Sequence, residues 1–176
     1  MIMRSAGLAA ALLLAAAPAA LGQDAGSQEA ITIQMKAPDG TDHGTVTVTS
    51  TPHGLLFAAD LTGLPEGEHG FHVHAVGQCE GDFESAGGHY NPTDKDHGYL
   101  AENGPHAGDL PNLESIGGMA RFSAFSPVLS MTGGDAPVMD SDGSAVMVHA
   151  GPDDYVTNPS GHSGGRIACG VIPPAS

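Results

Sequence analysis

The chain has 176 residues, of which 40% are hydrophobic, and this is enough for one domain with a real core. Five Lys and Arg residues face 20 Asp and Glu residues, which gives a formal net charge of −15 at pH 7. Such an acidic balance favours solubility and argues against nucleic acids and anionic membranes as partners.

The first 22 residues have the pattern of a cleaved signal peptide. Arg4 is the only charged residue before an apolar run at 6–21, and small residues precede Gln23. The run is too short and too close to the N-terminus for a typical spanning helix, so a retained membrane anchor is the less favoured alternative. We therefore expect an exported protein without membrane contact after cleavage, built as a signal peptide at 1–22, a polar leader at 23–29 and one domain at 30–176.

Alternating apolar and polar residues, separated by turns rich in Gly, Pro and Asp, predict an all-β protein. The short turns between the first four predicted strands favour antiparallel hairpins over βαβ units. No segment has a convincing helical pattern, so we expect an eight-stranded antiparallel sandwich or flattened barrel. The predicted strands cover residues 30–36, 43–50, 55–61, 69–75, 117–125, 128–131, 144–149 and 165–172.

Two stretches interrupt this pattern, at 76–114 and 151–164, and the first is dominated by Gly, Pro, Asp, Asn and His. An irregular stretch as long as the first is unusual in a compact domain and is typically functional when it is ordered. An ordered loop of this length needs a constraint, and the candidates are a disulfide at Cys79 and a metal bound to the histidines of the loop.

The chain contains two cysteines, Cys79 and Cys169. In an exported protein such a pair most often forms a disulfide, and two free buried thiols are the alternative. A bridge that closes a loop of about 90 residues would stabilise the fold by roughly 4–5 kcal/mol in the chain-entropy model.

Two histidines in one predicted strand suggest a metal site. His72 and His74 are two residues apart, so both imidazoles point to the same face of a strand. His-x-His alone is a weak signal, but imidazoles joined by a carboxylate suit zinc, copper or iron rather than calcium or magnesium. The further candidate ligands are His89, His97, His106, Asp109 and His149.

With these motifs the chain resembles the bacterial exported copper–zinc superoxide dismutases. The resemblance implies a Greek-key β-fold with a long metal-binding loop and a second active-site loop. It also implies dismutation of superoxide to oxygen and hydrogen peroxide by alternating reduction and oxidation of a bound copper ion. The matching motifs, between about Ile31 and Ile172, are Gly-Phe-His72-Val-His74, Gly-Gly-His89-Tyr-Asn-Pro, His97-Gly, Gly-Pro-His106-Ala-Gly-Asp109-Leu-Pro-Asn, Val-Met-Val-His149-Ala-Gly and Gly-Gly-Arg166-Ile-Ala-Cys169-Gly-Val-Ile.

The resemblance implies two cofactors, a copper ion and a zinc ion. Two four-coordinate ions need eight bonds, and seven ligands supply them if one ligand bridges. An imidazole has two ring nitrogens, so a deprotonated His89 can bind both metals. In this scheme zinc supports His89, which also delivers a proton during catalysis. Copper would be held by His72, His74, His89 and His149, and zinc by His89, His97, His106 and Asp109.

The resemblance also implies roles for residues around the metals. Asp153 takes the position of a carboxylate that hydrogen-bonds one ligand of each metal, here His72 and His97. Arg166 would place a fixed positive charge over the copper for the anion. The cysteine bridge would tie the long loop to the strand that carries Arg166.

One departure from the family concerns the attraction of the substrate. Family members often carry lysines in the loop before the arginine, but residues 151–165 contain neither Lys nor Arg. We therefore expect Lys95 and Arg166 to provide most of the local attraction for superoxide. For His69, on the opposite face of the strand from His72, we expect a structural hydrogen bond. For His162 we expect a solvated loop position, with a ligand role as the alternative.

Superoxide is thus the expected substrate, and the bacterial periplasm or the extracellular space is the expected location. A non-enzymatic copper- or zinc-binding or buffering domain of the same fold is the alternative to an enzyme. A third interpretation is an adhesion-type β-sandwich with incidental histidines. The full set of copper ligands together with Arg166 argues against the non-enzymatic domain. An adhesion domain would not need histidines at the four family positions, His72, His74, His89 and His149. The resemblance leaves a homodimer open.

Overall fold

The computed structural model describes residues 1–2 and 29–176. The expected signal peptide and most of the polar leader lie outside the described residues. Within the described part of the chain, no helix is long and apolar enough to span a membrane.

Eight strands and one short 3-10 turn, at Glu84–Ala86, form the regular structure of the described residues. Alternation explains the early strands, because every second side chain of the third strand is buried and those between are exposed. The strands are β1 (Ala30–Lys36), β2 (Asp42–Thr51), β3 (Gly54–Thr62), β4 (Gly67–His74), β5 (Asp109–Ser115), β6 (Met119–Ser126), β7 (Ser144–His149) and β8 (Arg166–Ile172).

All eight strands belong to one antiparallel sheet with the order β5-β4-β7-β8-β1-β2-β3-β6. The edge strands β5 and β6 are consecutive in the chain, and a bridge between Ile116 and Met119 joins them. The sheet therefore curls into a nearly closed barrel. β1 and β8 pair only at Lys36 and Cys169, so few backbone hydrogen bonds join these two strands. The predicted fold class is confirmed.

The core fills the inside of this barrel. Phe71 lies at its centre, in edge-to-face contact with Phe57 and Phe122 at ring-centroid distances of 6.5 and 6.1 Å. Such pairs add about 0.5–1.5 kcal/mol to the stabilisation from burial. β4 is thereby anchored on the side of Phe71 and Val73, which leaves the intervening histidines on the side that the loops cover.

Two of the predicted elements were wrong. The irregular stretch does not extend to residue 114, because Asp109–Ser115 forms β5. β5 carries one extra residue opposite β4. Its buried apolar residues Leu110 and Leu113 are therefore three apart, so the sequence does not show the period of two that is typical of a strand. Conversely, residues 128–131 form no strand, although Leu129 and Met131 are buried. That segment bonds to residues 136–139 of its own loop instead of joining a strand.

Two long loops cover the outer face of the sheet. The metal loop (residues 75–108) joins β4 to β5, and the second loop (residues 150–165) joins β7 to β8. A disulfide between Cys79 and Cys169 fastens the metal loop to β8 with a Cα–Cα distance of 5.9 Å, which confirms the predicted bridge. Farther along, the Tyr90 N–H donates to the Val73 carbonyl at 2.8 Å and holds the metal loop against β4.

Candidate metal centre

Six histidines and one aspartate come together where the metal loop crosses β4 and β7. His72 and His74 come from β4, and His149 ends the neighbouring β7. His89 joins them because its backbone forms a bridge with that of His74. The side chains form two groups, in each of which one ligand atom per residue lies within 4.8 Å of the others. The first group is His72, His74, His89 and His149, and the second group is His89, His97, His106 and Asp109.

Backbone carbonyls orient two imidazoles of the first group. The Nδ1–H of His74 donates to Gly87 O at 2.9 Å, and that of His149 donates to Gly164 O at 3.1 Å. Their Nε2 atoms remain as acceptors and lie 3.3 Å apart. Two lone pairs that face each other at this distance repel unless a cation lies between them.

The other two imidazoles of this group each leave one ring nitrogen free. His72 Nε2 donates to Asp153, and His89 Nδ1 faces Asp109. The remaining atoms, His72 Nδ1 and His89 Nε2, are buried and find no hydrogen-bond partner among the described residues. An unpaired buried polar atom costs about 1–3 kcal/mol. The first group therefore offers four imidazole nitrogens that lack a protein donor, a set that suits copper or zinc.

Burial keeps three imidazoles of the first group neutral. It lowers the pKa of His149 to about 3 and that of His89 to about 4, and it holds the pKa of His74 well below its ordinary value of 6.5. Repulsion between neighbouring imidazoles adds to this effect. The neutral imidazole is the form that binds metal, so protons do not compete for these nitrogens near neutral pH.

The second group surrounds one carboxylate oxygen. The Nδ1 atoms of His89, His97 and His106 lie 2.8, 3.2 and 3.3 Å from Asp109 Oδ1. The other oxygen of Asp109 accepts from the backbone N–H groups of Gly98 and His106. Burial raises the pKa of Asp109, but the hydrogen bonds from the imidazoles outweigh it and hold the pKa below its usual range. Three imidazoles and one ionised carboxylate form a ligand set for zinc.

Asp153, in the second loop, links the two groups. Its Oδ2 accepts from His72 Nε2 at 2.6 Å, and its Oδ1 accepts from His97 Nε2 at 2.9 Å. Burial disfavours its charge, but these bonds keep the pKa of Asp153 below its usual range. Burial also lowers the pKa of His97, yet its bonds to Asp109 and Asp153 raise it to about 9. One carboxylate thus fixes an imidazole of each group.

A cavity of about 380 Å³ opens onto the first group, and we call it the mouth cavity. Its lining includes His74, His89 and His149. Arg166 is the only Asp, Glu, Lys or Arg among the described residues that line it. The guanidinium donates to Phe83 O and to Gly87 O, the carbonyl that also orients His74. A fixed positive charge therefore stands beside converging metal ligands.

Comparison with known proteins identifies the family. The family model for copper/zinc superoxide dismutase (SODC) matches residues 42–172, well over half of the chain. The chain belongs to the copper/zinc superoxide dismutase family. The superoxide dismutase [Cu-Zn] of Caulobacter vibrioides is 46% identical over 146 residues, which cover 80% of this chain and 84% of the relative. That of Legionella pneumophila is 42% identical, with coverage of 80% and 83%.

Solved structures related to the copper/zinc superoxide dismutases share the fold. A SOD-like protein from Bacillus subtilis is 40% identical with a TM-score of 0.77, and the match covers 80% of this chain and 97% of that protein. The Cu/Zn superoxide dismutase from Brucella abortus is 33% identical with a TM-score of 0.66, and the match covers 82% and 99%. The family implies copper and zinc, and the donor sets of the first and second groups fit these two ions.

The structure brings together all seven residues that the sequence nominated as ligands, with His89 in both groups. Asp153 contacts His72 and His97, the two histidines expected from the resemblance to copper/zinc superoxide dismutases. Arg166 lines the mouth cavity. The predicted disulfide joins Cys79 of the metal loop to Cys169 of β8, the strand that also carries Arg166.

Three other nominated residues lie outside the two groups. Lys95 is exposed, donates to Asn103 Oδ1 at 3.3 Å, and lines a neighbouring cavity rather than the mouth cavity. The His162 side chain is 78% exposed and lies 3.4 Å from Asp154. His69 is buried, with Nδ1 2.8 Å from the His149 carbonyl, so it helps to fix the end of β7.

Three residues that shape the site had no role in the predictions made from the sequence. Gly161 lies so close to Asp153 that an added Cβ would be 1.9 Å from Asp153 Oδ1. Asn112 and Tyr155 hydrogen-bond to Asp153. Asn112 belongs to the motif that contains Asp109, which was the only available signal, whereas the other two lie in a loop without any pattern.

Proposed function

We propose that the protein dismutates superoxide to oxygen and hydrogen peroxide. The observation that carries this proposal is the first group with its mouth cavity. Four buried imidazoles offer free nitrogens beside a cavity in which Arg166 is the one charged lining residue among those described. The second group adjoins it and shares His89. Membership of the copper/zinc superoxide dismutase family supports this activity.

Each group is assigned one metal in this proposal. The first group, His72, His74, His89 and His149, would hold copper, and the second group, His89, His97, His106 and Asp109, would hold zinc. When bound, copper supplies reversible one-electron chemistry, which zinc lacks.

Arg166 binds and orients the substrate anion. Two backbone carbonyls, Phe83 O and Gly87 O, fix its guanidinium beside the first group. The described lining of the mouth cavity contains no acidic side chain. The local field therefore attracts superoxide although the whole chain is strongly acidic.

His89 holds and releases a proton at Nε2 whenever that nitrogen is not bound to copper. Two superoxide ions and two protons yield one oxygen and one hydrogen peroxide, so a group must carry protons to the bound anion. The Nδ1 of His89 faces Asp109 in the second group, which keeps the ring in place. Its Nε2 faces the first group without a protein partner, and the residue lines the mouth cavity. A proton from solvent thus reaches the substrate through this nitrogen.

Lys95 contributes to the attraction of the anion only at long range. Its ammonium faces Asn103 and a neighbouring cavity, so it offers no contact in the mouth cavity. We expect Lys95→Ala to lower the association rate at low ionic strength and to lose this effect at high ionic strength, because salt screens distant charges.

Export to the periplasm or beyond the cell completes the proposal. The pattern at residues 1–22 supports it, as do the disulfide between Cys79 and Cys169, typical of oxidising compartments, and the bacterial relatives. The mature domain acts on superoxide without nucleic acid or membrane as a partner. Sedimentation of the purified mature protein distinguishes a monomer from a homodimer.

The deciding experiment measures superoxide decay with mature protein loaded with copper and zinc. His149→Ala removes a proposed copper ligand and should abolish turnover. Arg166→Ala keeps the ligands and should lower the rate at both low and high ionic strength, since its charge acts at contact distance. Metal content is measured in each sample.

The same samples test the alternative of a non-enzymatic metal-binding domain. A wild-type protein with confirmed copper and zinc that leaves the superoxide decay unchanged would exclude the enzyme. Turnover that survives His149→Ala would exclude the assignment of the first group to copper.

A further inference from the structure

We infer that Asn112 is a positioning residue that sets the orientation of both metal groups through Asp153. The inference rests on the proposed function, because it concerns the same site. Asn112 lies in β5, three residues after Asp109, and its side chain bonds to Asp153 rather than to a histidine. Its effect on the metals would therefore be transmitted entirely through that carboxylate.

The side-chain amide of Asn112 clamps the backbone of Asp153. Its Oδ1 accepts from the Asp153 N–H at 2.9 Å, and its Nδ2 donates to the Asp153 carbonyl at 3.0 Å. Asp153 is only 3% exposed, so its backbone groups depend on protein partners. One planar side chain thus fixes both the position and the tilt of Asp153 relative to β5.

Tyr155 closes the arrangement into a ring. Its N–H donates to Asp153 Oδ1 at 2.6 Å, and its hydroxyl accepts from the backbone N–H of Asn112 at 2.8 Å. Tyr155 has a φ of +63°, a left-handed conformation that costs a residue with a side chain about 1–2 kcal/mol. Such strain persists only where surrounding contacts enforce it, and it often marks a functional site.

The extra residue in β5 accounts for the direction of the Asn112 side chain. His69 pairs with Leu113 and Phe71 with Leu110, so two residues of β5 oppose one residue of β4. In a regular strand, Asp109 and Asn112 would point to opposite faces because they are three apart. A bulge re-aims side chains. Here it lets Asp109 enter the second group while Asn112 reaches the second loop.

The clamp matters because Asp153 must reach two targets at once. Its two oxygens accept from His72 at 2.6 Å and from His97 at 2.9 Å. Each bond keeps a proton on Nε2 of an imidazole and leaves Nδ1 facing a metal group. A shift of Asp153 would lengthen at least one of these bonds, and the tautomer and tilt of that imidazole would then be lost.

The test measures zinc affinity by competition with a chromophoric chelator, and it records the visible absorption of the protein loaded with copper(II). Asn112→Ala removes both bonds of the clamp, and Asn112→Asp keeps only the acceptor for the Asp153 N–H. We expect Asn112→Ala to weaken zinc binding about 10–100-fold, the range typical for partners of metal ligands, and to shift the copper absorption. Asn112→Asp should give a smaller loss, and it carries the test if the alanine variant does not fold.

Ser144→Ala is the matched control for a purely structural effect. The Ser144 hydroxyl is buried and donates to Val138 O at 2.8 Å, in a contact that involves neither metal group. Its loss should lower the unfolding midpoint, as the loss of the Asn112 clamp should, while zinc affinity and copper absorption stay at the wild-type values.

A double-mutant cycle decides whether Asn112 acts through Asp153. In an Asp153→Ala background, Asn112→Ala should cause no further loss of zinc affinity. A full additional loss in that background, or wild-type zinc affinity in both Asn112 variants, would overturn the inference. These readouts need no turnover, so a metal-loaded protein that fails to dismutate superoxide overturns the proposed function alone.

Discussion

At the scale of single residues, hydrogen bonds to one ring nitrogen decide which nitrogen an imidazole offers to a metal. His74 and His149 bond to carbonyls through Nδ1 and leave Nε2 free, whereas His72 bonds to Asp153 through Nε2 and leaves Nδ1 free. His72 and His74 share a strand face, so their rings approach the first group from the same side. The opposite tautomers let both rings reach one point.

Gly161 is expected to be the least replaceable residue of the second loop. Its φ is +63°, and an added Cβ would lie 1.9 Å from Asp153 Oδ1 and 2.7 Å from His97 Nε2. Gly161→Ala must therefore displace the carboxylate that links the two groups. We expect zinc affinity to fall at least tenfold, the lower end of the range for partners of metal ligands, and the unfolding temperature to fall with it.

Gly117→Ala provides the control for this substitution. Gly117 has a φ of +60°, nearly the same, but an added Cβ would meet nothing within 4 Å. It bears the same backbone penalty, about 1–2 kcal/mol, without the collision. Equal losses of zinc affinity in the two variants would show that the contact with Asp153 is unimportant.

The candidate ligands were predictable from sequence because ligation restricts residue type, and His72-Val-His74 fixes a shared strand face. Their orientation was not predictable. The partner of His72 lies 81 residues farther along the chain, and the partner of His97 lies 56 residues farther. Nothing in the local pattern at Gly161 or Tyr155 indicates contact with Asp153, since these contacts exist only after the second loop has folded onto β5.

At the scale of elements, the metal loop connects the two metal groups to Arg166, because it carries residues of both groups and the carbonyls that accept from the guanidinium. The disulfide at Cys79 lies near the beginning of this loop. The carbonyls of Phe83 and Gly87, a few residues farther along, accept hydrogen bonds from the guanidinium of Arg166. β8 carries both Cys169 and Arg166. The covalent bridge and the arginine contacts thus fasten the same loop segment to the same strand.

Removal of the disulfide should therefore cost both stability and activity. For Cys79→Ala/Cys169→Ala we expect the free energy of unfolding to fall by about 4–5 kcal/mol, the chain-entropy value for a loop of this length. Denaturant unfolding, compared with wild type and with wild type kept under reductant, measures the loss. Turnover should fall as well, because the carbonyls that hold Arg166 become less ordered. A variant with the wild-type midpoint would show that the bridge is dispensable.

Strand prediction succeeded wherever alternation was regular and failed at the bulge. β3 alternates along its whole length and lies within one residue of its predicted bounds at each end. In β5 the buried Leu110 and Leu113 are three apart, so the period of two disappears. The bulge that concealed the strand is the same feature that aims Asn112 at Asp153.

At the scale of the whole molecule, the pH dependence of the free energy of unfolding is set by the difference in bound protons between the unfolded and the folded chain. In the metal-free protein, burial lowers the pKa of His149 to about 3 and of His89 to about 4, and that of His74 well below 6.5. In the unfolded chain each titrates near 6.5. Below that pH the unfolded state binds more protons than the folded state, so acidification favours unfolding.

Other strongly shifted groups do not interfere between pH 6.5 and 5. The pKa of His97 is raised to about 9, so its stabilising effect is complete below pH 6.5 and is lost only as the pH rises toward 9. The pKa values of Asp109 and Asp153 are lowered, so their contribution is lost only below about pH 4. The interval from 6.5 to 5 therefore isolates His74, His89 and His149.

Metal-free protein should lose about 2 kcal/mol of stability per buried histidine between pH 6.5 and 5, from 1.36 kcal/mol for each unit of pKa difference. Denaturant unfolding after chelation measures how steeply the free energy of unfolding changes with pH.

His149→Gln removes one such imidazole, so this slope should be smaller by about one proton. Protein loaded with both metals should show a flatter response, because its imidazoles cannot accept protons until metal leaves. If the metal-free protein were equally stable at both pH values, its histidines would be protonated in the folded state, and proton competition would then weaken copper binding at neutral pH.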